Sequence, residues 1–143
     1  MTIYKIGING FGRHGRLVLR ATLDIGAEVI AINESCIPVE EMANLFKNDT
    51  IRGRFKGTIQ VDDNRLIVNG KPIDVFKKNE PKDIPWSSVG VDFVVETTAI
   101  FGRREKASAH IHGGAKKVFV STLSPCPPFV KFFWVDINHL TGH

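Results

Sequence analysis

The sequence predicts an α/β fold, a Rossmann-like, doubly wound and mostly parallel sheet with an inserted antiparallel β-ribbon, and three observations carry that expectation. Short continuous apolar runs, the mark of strands buried on both faces, alternate with stretches of helical period. The first run feeds directly into Gly10-Phe11-Gly12-Arg13-His14-Gly15, a G-x-G-x-x-G spacing placed to open a helix. The middle of the chain switches to a period of two, with turn residues between the repeats. With 143 residues, 43% of them apolar and 24% charged, and with no Ser- or Gly-rich linker, residues 1–143 read as a single domain able to bury a core.

Ile3 to Ile8 is the first expected strand. Leu17, Val18, Ala21 and Ile25 then give the helix after the glycine turn one apolar face, with Gly26 as its stop. Val29 to Ile32 forms a second strand ending in Asn33-Glu34, about twenty residues beyond the glycines, which completes a parallel βαβ unit. Pro38 suits a first helical turn and Glu40 and Glu41 favour its positive end, so a helix carries Met42, Leu45 and Phe46 toward the core and finishes near Asn48. Phe55, Gly57, Ile59 and Val61 alternate with polar positions, as do Leu66 and Val68, then Ile73 and Val75. Asp62-Asp63-Asn64 and Asn69-Gly70 are the turns between these ribbon strands. Val91 to Val95 is another buried strand, residues 103–112 form a helix closed by Gly113-Gly114, and Val118 to Val120 is a short strand. Ser124-Pro125-Cys126-Pro127-Pro128 is expected to be irregular because proline donates no amide hydrogen, with Phe129 to Ile137 as one further strand.

The glycine turn carries the chemistry. A tight strand-to-helix turn presents unpaired N–H groups and the positive end of a helix dipole to a pyrophosphate. Gly10 permits the turn, Gly12 removes a Cβ that would meet the phosphates, and Gly15 lets the helix lie close to the strand. Glu34 is placed to accept hydrogen bonds from both hydroxyls of an adenosine ribose, and its charge repels a 2′-phosphate, so NAD is expected rather than NADP; Ser35, in place of an arginine, points the same way.

Other chemistries find less support. Cys36 and Cys126 lie far apart with no metal-ligand spacing around them, so no metal is expected and a reducing compartment fits. Cys126, among prolines, lacks the helix start or positioned base that would make it a nucleophile. None of His14, His110, His112, His139 and His143 has a partner at triad spacing, and His110 and His112 are read as structural residues near a helix end. The net charge of +4 is scattered along the chain, which suits phosphate handling without arguing for nucleic acid. No stretch approaches the roughly 18 apolar residues of a membrane span and no leader is apparent, so a cytoplasmic protein is expected.

"GINGFGRHGRLVLRA", "VIAINE", "GRFKGTI", "LIVNGKPI", "VDFVVETTAIF" and "HGGAKKV", in this order and spacing, resemble the N-terminal, NAD-binding half of the glyceraldehyde-3-phosphate dehydrogenase family from Ile6 to about Val120. The resemblance implies that Asn9, Gly10, Gly12, Arg13 and His14 cradle the dinucleotide phosphates, with Phe11 and Gly15 completing the turn and Asn33 beside the ribose acid Glu34. It also implies that Thr98, Phe101 and Ser121 lie against the cofactor. His14 stands where the family has an apolar residue, Glu34 where it has an aspartate, and Asn79 where an arginine commonly holds the adenine side, departures that imply a weaker grip on NAD. A glutamate at that position is also similar to the sister erythrose-4-phosphate dehydrogenases.

The family's Ser-Cys-Thr-Thr-Asn-Cys nucleophile motif and its general-base histidine have no counterpart in these residues, so no catalytic residue is assigned. The expectation is a domain that binds and does not turn over, either a fragment of a longer product or a truncated paralogue. Full-length family subunits, in homo- or hetero-oligomers, are the implied protein partners. The contrasting class is a non-catalytic dinucleotide- or RNA-binding module, which the missing interleaved aromatic and basic residues weaken.

Overall fold

The computed structural model describes residues 4–48, 53–98, 109–125 and 128–134. In chain order its elements are β1 (Lys5–Asn9), α1 (Arg13–Asp24), β2 (Glu28–Asn33), α2 (Val39–Lys47), β3 (Ile59–Asp62), β4 (Arg65–Val68) and β5 (Lys71–Phe76). A short 3-10 turn (Pro81–Asp83), α3 (Trp86–Val89), β6 (Phe93–Glu96), β7 (Lys117–Pro125) and β8 (Pro128–Trp134) follow, with a helical turn at 109–112 before β7. The described strands form one sheet in the order β3-β4-β5-β2-β1-β6-β7-β8.

The five central strands are parallel, and the ribbon β3-β4-β5 joins them antiparallel within itself and parallel through β5 to β2. The predicted fold class is therefore the observed one. Both faces of the sheet are covered, as strands apolar on both sides require. One face packs Ile8, Ile32 and Val95 against Val18 and Leu19 of α1 and Met42 and Phe46 of α2. The opposite face packs Ala31 and Val94 against Ile84, Trp86 and Ala115.

Helix ends follow local chemistry. Pro38 precedes α2 in extended conformation, Glu40 and Glu41 lie in its first turn, and Asn48 caps its end as expected. α1 stops at Asp24, and Gly26 takes the left-handed conformation there. Ile25, assigned from periodicity to the buried face, is instead 80% exposed, because the helix has ended before it. The ribbon strand β3 begins at Ile59 and leaves out Phe55 and Gly57. Phe55 stacks on Phe46 with ring centroids 4.7 Å apart, and the Arg20 guanidinium lies over both rings, so its burial comes from α2 and not from a strand pleat.

The tail differs from expectation. β7 runs on through Ser124 to Pro125, and β8 returns antiparallel from Pro128, with those two prolines facing each other at the hairpin's closed end. A missing amide costs least at the terminus of a strand, which is why prolines break the ladder there without breaking the strands. Cys126, Pro127 and the end of the expected strand beyond Trp134 lie outside the described residues, as does 103–108 of the expected helix. Among the described residues no helix is long and apolar enough to cross a membrane.

Candidate dinucleotide-binding site

The turn between β1 and α1 is built from glycines with different jobs. Gly10 adopts φ +99°, open to glycine without strain, and its N–H donates to the Asn33 carbonyl at 2.8 Å, tying the turn to the end of β2. A Cβ on Gly15 would stand 2.0 Å from the Gly10 carbonyl oxygen, so glycine alone lets α1 cross the turn this closely. At Gly12 no heavy atom of the described residues beyond its own chain neighbours lies within 4 Å of a Cβ position. Gly12 is also the N-cap of α1, with no side chain capping the helix and no acid in its first turn. The dipole's positive end of a twelve-residue helix thus lies at Gly12, beside the Cβ position that no described residue fills.

Glu34 reaches back to this turn. Phe11 N–H donates to its Oε1 at 2.7 Å and Cys36 N–H to its Oε2 at 2.9 Å, which fixes the carboxylate beside the loop. A carboxylate offers about four lone-pair directions, so each oxygen keeps one for a ligand hydroxyl. Phe11 takes part through its main chain, since its ring is fully buried against Phe46. Lys77, which the sequence did not single out, donates to the Ile37 carbonyl; burial pulls its ammonium below the usual lysine value, while the charges of Glu34 and Glu40 work the other way.

Behind the turn runs a buried polar network. Asn33 Oδ1 accepts from Lys78 N–H at 3.0 Å, Asn33 Nδ2 donates to Asn9 Oδ1 at 2.9 Å, and Asn9 Nδ2 donates to Glu96 Oε1 at 2.8 Å. From the other side Trp86 Nε1–H donates to His110 Nδ1 at 3.1 Å, so His110 carries its proton on Nε2 and donates it to Glu96 Oε1 at 2.7 Å. Thr98 gives Glu96 Oε2 both its N–H at 2.7 Å and its hydroxyl at 2.5 Å. Burial favours a neutral Glu96, but these donors outweigh it and hold the carboxyl below the usual glutamate value.

The network sorts the predicted residues. Asn9 and Asn33 are buried, and their side chains are spent on it, leaving their main chains to shape the turn. His110 sits in the last helical turn and is structural as expected, and its role there is the buried hydrogen bonds to Trp86 and Glu96. Arg13 is exposed at the start of α1, and Arg16 donates to the Phe11 carbonyl at 3.2 Å. His14 is half-buried against the Thr97 carbonyl; burial pushes its imidazole below the usual value, while that carbonyl and the Glu96 charge push back. Thr98 is half-buried, Ser121 lies in β7 opposite Phe132, and Phe101 falls outside the described residues.

A profile described as "Glyceraldehyde 3-phosphate dehydrogenase, NAD binding domain" matches residues 4–104. The chain belongs to the glyceraldehyde-3-phosphate dehydrogenase family. It is 56% identical over 124 residues to "Glyceraldehyde-3-phosphate dehydrogenase" of Glossina morsitans morsitans, a match covering 87% of this chain and 37% of that protein. The namesake of Omphalotus olearius is 50% identical over 127 residues, covering 88% and 38%, and that of Schizophyllum commune 50% over 135 residues, covering 94% and 39%. The chain therefore spans less than two fifths of the length of these dehydrogenases. What it contains is the family's NAD-binding domain, and the glycine turn fits that cofactor: a helix start with no side-chain N-cap, a Cβ position at Gly12 that no described residue fills, and a carboxylate held beside the turn.

Proposed function

We propose that this chain is the cofactor-holding part of a cytoplasmic oxidoreductase that oxidises a phosphorylated aldehyde with uptake of phosphate in glycolysis, and that these 143 residues bind NAD without turning substrate over. The uncapped start of α1 at Gly12, with Glu34 held beside it, supports this reading most directly. The amides at that helix start hold the pyrophosphate, Glu34 orients the adenosine ribose, and Arg13 adds an exposed positive charge at the mouth. Bound NAD supplies a hydride-accepting ring. The thiol and base that the family directs at that ring are not among these residues, which act with full-length family subunits in an oligomer.

Calorimetric titration tests the proposal, with NAD, NADP and a short single-stranded RNA as titrants. NAD is expected to bind at least tenfold more tightly than NADP, since about 1.4 kcal/mol of repulsion between Glu34 and a 2′-phosphate suffices for that ratio. RNA is expected to bind weakly and to weaken steeply with added salt. RNA binding tighter than NAD would reverse the assignment. Measurable oxidation of triose phosphate by the purified polypeptide would overturn its inactivity.

A further inference from the structure

We propose that Glu96 is the positioning residue of the dinucleotide loop, a buried carboxylate that clamps the end of β6 beneath the glycine turn and so sets where the turn's amides point. The proposal rests on the assignment of NAD to that turn.

The clamp is continuous from atom to atom. Glu96 fixes Thr98 through two hydrogen bonds and Asn9 through a third. With the end of β6 so held, Thr97 places its N–H 3.1 Å from the Asn9 carbonyl and its hydroxyl 2.7 Å from the same oxygen. That hydroxyl also lies 3.2 Å from the Gly10 carbonyl, the atom against which Gly15 closes from the other side. A Cβ on Gly10 would meet the Thr97 hydroxyl at 2.5 Å, so the turn rests directly on this support.

Only a group without a donor fits the centre. Both ends of the network are anchored by groups that can only donate, the Lys78 main-chain N–H and the Trp86 indole N–H. They fix the orientation of Asn33, hence of Asn9, and the tautomer of His110. Asn33 Nδ2 also donates to the Lys78 carbonyl at 3.1 Å, which fixes its amide the same way round, and from both anchors the hydrogen bonds linking side chain to side chain run toward Glu96. A glutamine there presents its NH2 either to Asn9 and His110 or to the Thr98 N–H, and flipping Asn9 or Asn33 moves the donor conflict toward Lys78 without removing it.

Glu96→Gln preserves size and removes only the acceptor character. At a temperature where circular dichroism shows both proteins folded, the variant is expected to bind NAD about tenfold or more weakly, the loss of one to two buried hydrogen bonds. Hydrogen exchange should quicken at Gly10, Phe11 and Thr98 while core amides of β2 keep their protection. Wild-type NAD affinity, or faster exchange spread evenly over the core, overturns the proposal. If Glu96→Gln does not fold, Thr97→Val removes the supporting hydroxyl with little change of shape; the same local exchange and a several-fold loss of affinity are expected, and an unchanged Kd overturns the clamp. Absence of NAD binding by the wild-type chain would instead overturn the cofactor assignment.

Discussion

Gly12 and Gly15 sit three residues apart in one motif and are glycines for opposite reasons. Gly15 is fixed by protein, because a methyl there would overlap the Gly10 carbonyl oxygen; Gly12, at φ −71° and in open space, is compatible with alanine as far as folding goes. Gly15→Ala is therefore expected to destabilise the domain by about 1–3 kcal/mol through overpacking, seen as a fall of several degrees in Tm. Gly12→Ala should leave Tm within a few degrees and yet weaken NAD about tenfold or more, because the methyl stands off charge-assisted hydrogen bonds worth ~1.5–3 kcal/mol each. Glu96 has a pH signature of its own. Its folded-state pKa lies below the ordinary 4.5, so its stabilisation is present above that value and is lost as pH falls through the folded pKa. Denaturant titrations below pH 4.5 should show wild type losing stability with acid faster than Glu96→Gln. The glycines and Glu34 were legible in the sequence because spacing within a βαβ unit reports them. Glu96 and the partners of His110 were not, since Glu96 lies 87 residues from Asn9 and His110 lies 24 from Trp86, and no local pattern announces a hydrogen bond between distant elements.

Elements were legible where period and turn chemistry agree. The ribbon shows this best: Asn69 at φ +52° and Gly70 at φ +81° form the tight turn their dipeptide predicts, and the Asn69 side chain also accepts from the Thr58 N–H at 3.0 Å. Asn69→Ala loses that bond and forces alanine into the left-handed region, a cost of about 2 kcal/mol that a thermal melt would record. NAD affinity should be unchanged in this variant, since the turn lies at the start of β5 while Glu34 and Lys78 lie at its far end. One element and one strand boundary escaped the sequence reading for physical reasons. α3 is a four-residue turn held by the burial of Trp86, too short to show a period, and Phe55 continued an alternation that its stacking on Phe46 ends.

On the scale of the whole molecule, the site occupies the place where the sheet's winding reverses. The chain leaves β1 for β2 on one side and later returns to β6 on the other, so α1, which follows β1, and the helical turn at 109–112, which follows β6, lie on opposite faces of the sheet, with the glycine turn above the paired ends of β1 and β6. The Gly12 amides, Glu34 and the Glu96 clamp all lie along this one rim, on neighbouring strands of a single sheet. Binding by such a rim requires no second domain, whereas hydride transfer requires groups aimed at the nicotinamide from beyond it. The chain is thus expected to show ligand-linked stabilisation on its own: at NAD concentrations about 100 times Kd, unfolding free energy should rise by about 2.7 kcal/mol, with Tm climbing steadily with concentration. NADP at the same concentrations should move Tm less, because Glu34 faces the extra phosphate, and Glu34→Ala should narrow the gap between the two nucleotides. Equal shifts from NAD and NADP in the wild-type chain would remove Glu34 from its place beside the ribose.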